Sequence, residues 1–131
     1  MKTGSETETI LVVDDDPENR MMYSEFLSES GYTIIARPDG PSALSVVREV
    51  PRIDLVITDY QMPDMSGLVF IKNLRTALPS VQMIMLTAYG NIKTYFNSRD
   101  LGVFEFVNKP VSKRALERIV RAALENSRTV S

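Results

Sequence analysis

Four short apolar runs in this chain end on groups that could do chemistry. Ile10-Leu11-Val12-Val13 runs into Asp14-Asp15-Asp16, and Leu55-Val56-Ile57-Thr58 runs into Asp59. Met83-Ile84-Met85-Leu86 runs into Thr87, and Phe104-Glu105-Phe106-Val107 runs through Asn108 into Lys109-Pro110. A carboxylate is costly to bury and adds nothing to a core, so it belongs at such a place only if something comes to it. In an open parallel sheet the carboxyl ends of the strands line up on one edge, where ligands bind. Asp14, Asp15 and Asp59 brought together there repel one another and resist ionising side by side. A divalent cation removes that difficulty, and carboxylates with a backbone carbonyl and waters suit magnesium, which commonly meets a phosphate when bound this way. Asp59 is then a candidate nucleophile, able to take a phosphoryl group as an acyl phosphate. The metal would neutralise charge on the transferring oxygens. Lys109 would act as a point charge on them and Thr87 as a hydroxyl donor.

These groups need strands to carry them and helices to cover the strands. Ile10 to Val13 is a continuous aliphatic run, as in a strand buried on both faces. Asp16-Pro17 opens a helix, with aspartate suited to the cap and proline to the first turn. Met22, Phe26 and Leu27 recur at helical spacing, and Gly31 stops the helix after Ser30. Thr33 to Ala36 is a second strand and Asp39-Gly40 a turn. Pro41 opens a second helix with Ala43, Leu44 and Val47 inward, and Pro51 ends it. Leu55 to Thr58 is the third strand, followed by the loop Met62-Pro63-Asp64-Met65-Ser66-Gly67 and a helix with Leu68, Ile71 and Leu74 inward, ended by Pro79. Val81 to Leu86 is the fourth strand. A helix of poor propensity covers about 91–101 and is expected to be the most mobile. Within it Ile92, Tyr95 and Phe96 read first as core, and otherwise as one ring at a partner surface. Glu105 to Val107 is a fifth strand. A last helix begins near Ser112, with Leu116, Ile119, Val120, Ala123 and Leu124 as its apolar stripe and Lys113, Arg114, Arg118 and Arg121 as its wet face. Strand–helix alternation to the end argues an α/β fold with a parallel sheet and helices on both faces.

The 131 residues suit one domain with a real core. Expected boundaries are a flexible tail at 1–9, a domain at 10–127 and a short tail at 128–131. The formal charge of −2 gives no sign of a nucleic-acid or membrane surface. Absence of cysteine and histidine excludes thiolate chemistry, serine–histidine triads, histidine-ligated zinc and a phosphohistidine within this chain. No stretch is long and apolar enough to span a bilayer, and Met1 to Ser5 lacks the apolar centre of a signal peptide, so a cytoplasmic location is the expectation.

Taken together, the sequence resembles the CheY-like receiver domains of two-component response regulators. The resemblance rests on Asp14-Asp15, Asp59, Thr87-Ala88 and Lys109-Pro110 after their strands and on Met62-Pro63 and Ser66-Gly67 in the loop after the third strand, in this order, and covers roughly Thr9 to Ser127. It implies a doubly wound (βα)5 flavodoxin-like sandwich with a five-stranded parallel sheet of order 2-1-3-4-5. It implies that Asp59 accepts a phosphoryl group from the histidine of a sensor kinase or phosphotransfer protein. Asp15, Asp59 and the backbone carbonyl of Gln61 would bind magnesium directly, with Asp14 acting mostly through a metal-bound water. Thr87 and Phe106 would form a switch pair, Lys109 would contact the phosphoryl group, and the Lys109-Pro110 bond would be cis. The fourth helix, fifth strand and fifth helix would face a downstream effector, an output domain or a second copy on phosphorylation. Such a domain is a signalling module that assists its own phosphorylation and dephosphorylation, and is not otherwise an enzyme.

Each residue alone has a plainer reading. Asp14-Asp15-Asp16 could be a turn and cap, Thr87 a turn hydroxyl, Lys109 a solvated side chain and Phe106 core. Their coincidence at one sheet edge is what those readings explain badly. A magnesium phosphohydrolase of the haloacid-dehalogenase kind would use Asp14 and Asp16, but the hydroxyl or small residue expected after that pair is missing, as is a cap domain. A flavodoxin-like cofactor carrier would need a hydroxyl- and glycine-rich first loop, and this one is acidic. A receiver used only for docking would have no need of the intact acidic set. Phe106 stands where tyrosine is common in the family and so offers a partner no hydroxyl. The resemblance places Gln61 and Tyr89 at two positions, variable in the family, that influence how fast water attacks the acyl phosphate, where Gln61 could orient water and Tyr89 could screen the phosphate. Exchanging Tyr89 for alanine is therefore expected to speed phosphate loss; an unchanged decay of the phosphorylated protein would contradict the screening role.

Overall fold

The computed structural model describes residues 7–60, 65, 67–87, 103 and 105–130, with backbone alone for 67–68 and 127–130. Five parallel strands, β1 (Thr9–Val13), β2 (Thr33–Arg37), β3 (Leu55–Asp59), β4 (Gln82–Thr87) and β5 (Glu105–Asn108), form one sheet of order β2-β1-β3-β4-β5. Helices α1 (Pro17–Glu29), α2 (Gly40–Glu49), α3 (Gly67–Ala77) and a C-terminal helix (Lys113–Val130) cover it. The doubly wound arrangement and strand order are those the resemblance implied. The expected helix at 91–101, with Ile92, Tyr95 and Phe96, lies outside the described residues.

Strand alternation splits the core in two. Ile10, Val12, Leu55, Ile57, Ile84 and Leu86 pack on one face with Tyr23 and Leu27 of α1 and Leu116, Val120 and Ala123 of the C-terminal helix. Leu11, Val13, Val56, Met83 and Met85 pack on the other with Ala43, Leu44 and Val47 of α2 and Phe70, Ile71 and Leu74 of α3. Residues at i and i+2 share a face, so every central strand is apolar on both sides and reads as an unbroken run. Of the apolar stripe expected on the C-terminal helix, Leu116, Val120, Ala123 and Leu124 are buried and Ile119 is half-buried. Lys113, Arg114, Arg118 and Arg121 are exposed. The helix continues through Val130, past the domain end drawn at 127.

Helix ends are fixed by side chains visible in the sequence. The Asp16 carboxylate accepts from the backbone N–H groups of Glu18 and Asn19, and Pro17 occupies the first turn of α1. Gly31, with φ of 98°, takes the left-handed conformation that closes α1, and Tyr32 N–H reaches back to Leu27 O at 3.2 Å. At the opposite end of the sheet from the candidate site the expectation of a loose 1–9 needs correction at Glu8 and Thr9. Glu8 is buried, its carbonyl accepts Thr33 N–H at 2.9 Å, and Thr9 N–H donates to Asp54 Oδ2 at 2.8 Å. A carboxylate 45 residues away thus anchors the start of β1.

Asp39 caps α2 in the same manner as Asp16 caps α1, accepting Ser42 N–H at 2.8 Å. That backbone hydrogen bond, helped by the Ser42 side chain, holds the carboxyl below the usual aspartate range. Because the folded value is lowered, the cap contributes above the unfolded pKa and its contribution is lost as pH falls through the folded one. Asp39→Ala is expected to lose about 1 kcal/mol at neutral pH. In urea unfolding, the gap between variant and wild type should close toward acid; a gap independent of pH would contradict the assignment.

Candidate functional site

The carboxyl ends of β1, β3, β4 and β5 lie side by side in the order the sheet dictates, with Val13 opposite Thr58, Asp59 opposite Leu86, and Thr87 opposite Asn108. Asp14 continues the Ile10–Val12 series and Asp59 the Leu55–Ile57 series, both facing α1 and the C-terminal helix, so alternation carries their side chains to that side of the edge. Lys109 reaches them from beyond β5. Its Nζ donates to Asp14 Oδ2 at 2.8 Å and to Asp59 Oδ2 at 2.9 Å. Its own backbone N–H is tied to Thr87 O at 2.7 Å, and the Lys109–Pro110 bond is cis.

Little water reaches this triad. Side-chain exposures are 2% for Asp14, 12% for Asp59 and 13% for Lys109. Burial alone would lower the Lys109 pKa; hydrogen bonds and charge from Asp14 and Asp59 together outweigh it and raise the ammonium above its ordinary value. A raised lysine stabilises the fold below its unfolded pKa and loses that contribution only as pH rises through the folded one. The ion pair therefore holds throughout the neutral range. Beneath it, burial raises the phenol of Tyr23, which also feels the charges of Lys109, Asp14 and Asp59.

Asp15 completes the acidic set from the exposed side. One carboxylate oxygen each from Asp14, Asp15 and Asp59 lies within 4.8 Å of the others. Unit charges about 4 Å apart interact by about 4 kcal/mol at an effective dielectric of about 20. Among the described residues, three such repulsions stand against two close attractions to one ammonium, so on these groups the cluster is short of positive charge. The donors are all carboxylate oxygens, a set that fits a hard dication such as magnesium.

Asp14 is the most constrained member. Its N–H donates to Arg37 O at 3.2 Å, its Oδ1 accepts Asp16 N–H at 2.9 Å, and its carbonyl accepts Arg20 Nη1 at 2.8 Å. Arg20 is not singled out by the sequence reading. The available signal was an arginine six residues beyond the first acid, one turn into α1, where its length suffices to return to the strand end.

Thr87 and Phe106 lie on the opposite face of the sheet. Thr87 is buried and continues the Met83–Met85 series that faces α2 and α3. Phe106 sits opposite Met85 and packs, half-buried, against the same cluster. Gln61, Tyr89, Ala88, Met62, Pro63 and Ser66 lie outside the described residues.

Comparison with known proteins agrees with this architecture. A family model, "Response regulator receiver domain", matches residues 10–121. The transcriptional regulatory protein GlrR of Escherichia coli K12 is 35% identical over 118 residues, which span 90% of this chain and 26% of that protein. The probable transcriptional regulatory protein TcrX of Mycobacterium tuberculosis is 34% identical over 119 residues, 91% of this chain and 50% of the relative. The chain thus spans between a quarter and a half of the length of these relatives. A CheY-like receiver domain structure from Methanospirillum hungatei superposes with a TM-score of 0.91 over 96% of this chain and all of the other; at 24% identity it speaks for the fold. With the family model spanning most of its length and the fold matching, this chain belongs to the response regulator receiver domain family.

Proposed function

We propose that Asp59 is the phosphoacceptor of this receiver domain and that its phosphorylation requires magnesium. The observation that carries this reading is the paired contact of Lys109 with Asp14 and Asp59, inside an all-oxygen cluster that is short of positive charge. Asp14, Asp15 and Asp59, with the Gln61 carbonyl, would hold the metal, Asp14 mostly through a bound water. When bound, magnesium supplies charge that neutralises the transferring phosphoryl oxygens.

The step itself falls to this chain's residues. An Asp59 carboxylate oxygen attacks phosphorus, the bond from phosphorus to the donor's imidazole nitrogen breaks, and its electron pair leaves with the imidazole. Lys109 already touches Asp59, so its ammonium lies where one phosphoryl oxygen arrives. Thr87 donates its hydroxyl to another, and Phe106, half-buried beside the same cluster, turns inward as that hydroxyl moves. The consequence is read on β5, the C-terminal helix and the segment before β5, by an effector, an output domain or a second copy. Hydrolysis returns the carboxylate when water attacks phosphorus, with Gln61 and Tyr89 setting the rate. The donor is a sensor histidine kinase or phosphotransfer protein, and the setting is the cytoplasm. Among the described residues no helix is long and apolar enough to cross a membrane.

Intact mass after incubation with acetyl phosphate tests the assignment. Addition of one phosphoryl group to the wild type with magnesium, none without it and none to Asp59→Asn is the expected result. Equal labelling of Asp59→Asn would contradict the acceptor. Failure of the wild type to take up both acetyl phosphate and beryllofluoride with magnesium would favour a docking domain that works without phosphorylation.

A further inference from the structure

Asp15 differs from its two companions. Asp14 and Asp59 are held through their carboxylates by Lys109, whereas Asp15 is exposed, and its place in the cluster is set by its backbone. The peptide group that delivers Asp15 carries the carbonyl of Asp14, and that carbonyl receives Arg20 Nη1 at 2.8 Å. Rotation of this peptide would swing the Asp15 side chain away from the other two. A charge-assisted guanidinium hydrogen bond is short and strong, and it ties this carbonyl to α1 against such rotation. Arg20 is itself on firm ground. Its N–H bonds Asp16 O at 2.9 Å and its carbonyl accepts Ser24 Oγ at 2.7 Å, both within the first turns of α1.

We propose that Arg20 is a positioning residue for the metal site, holding the Asp14–Asp15 peptide so that Asp15 faces the same point as Asp14 and Asp59. This rests on the reading of those three carboxylates as magnesium ligands. The sign of the effect separates it from other roles. A cation acting only through its charge opposes a dication, so its removal would tighten magnesium binding. A guanidinium that only stabilises the fold would, on removal, lower the unfolding midpoint of the metal-free protein and leave the affinity unchanged. A guanidinium that orients the ligand loop weakens binding when removed.

Calorimetric titration of magnesium into wild type, Arg20→Met and Arg20→Lys, beside urea unfolding of each metal-free protein, distinguishes these. Arg20→Met should bind magnesium about tenfold more weakly, the low end for losing a group that orients a metal ligand. Arg20→Lys, which keeps a donor able to reach the carbonyl, should recover most of the affinity. Should Arg20→Met not fold, Arg20→Gln, shorter and neutral, takes its place with the same expectation. Magnesium affinity equal to or tighter than wild type in the neutral variant overturns the proposal, whatever the unfolding midpoint does. A wild type that takes up no magnesium overturns the ligand reading itself and this proposal with it.

Discussion

Two nearly buried carboxylates share one ammonium at the carboxyl edge of the sheet, and much of the surrounding structure serves that arrangement. Lys109 bridges Asp14 and Asp59 across 95 and 50 residues of sequence. Two carboxylates so nearly out of water repel each other, and the shared ammonium offsets both their burial and that repulsion. The bridge requires the ends of β1, β3 and β5 to sit in fixed register, which the parallel ladder provides. It also requires the turn after β1 to be held, which the Asp16 cap, the Arg37 carbonyl and Arg20 provide. The pair is incomplete as an electrostatic solution, since Asp15 adds a third negative charge at close range. A site built this way favours whatever brings positive charge to it.

The same sheet separates two tasks by alternation. Residues that hold charge look toward α1 and the C-terminal helix, and Thr87 and Phe106 look toward α2 and α3. Thr87 lies at the end of a strand packed among Met83 and Met85, and Phe106 lies on the edge strand, half-buried. A fully buried ring would have no room to turn, and a fully exposed one would gain little by turning. On the proposed function, an event at Asp59 reaches the surface by crossing one strand, β4, to that edge.

Much of this was legible in the sequence because the governing effects are local. Continuous aliphatic runs identify strands buried on both faces, and aspartate directly before proline identifies Asp16 as a cap, whereas Asp39, two residues before Pro41, was read only as part of a turn. What was not legible depends on partners distant in sequence. Asp54 holds Thr9 across 45 residues, so the start of β1 looked loose when read from polar composition alone. Arg20 resembled one more charge on a surface helix, because its partner is a carbonyl that no pattern of residue types reveals. Tyr23 was passed over because α1 carries Met21, Met22, Tyr23, Phe26 and Leu27 with little contrast between faces. Only packing shows Met21 to be 64% exposed and Tyr23 to be buried.

On the proposed function, the acidic edge lacks positive charge until a divalent ion completes it. The most direct measurement is the unfolding midpoint of the wild-type chain as magnesium is raised, at fixed ionic strength. Binding to the folded state alone should raise stability with ligand concentration, by about 2.7 kcal/mol at a hundredfold excess over the dissociation constant. A midpoint that climbs in this way with magnesium, but not with a monovalent salt, is the expected result. A midpoint that ignores magnesium would mean that Lys109 already satisfies the cluster, and would contradict the account.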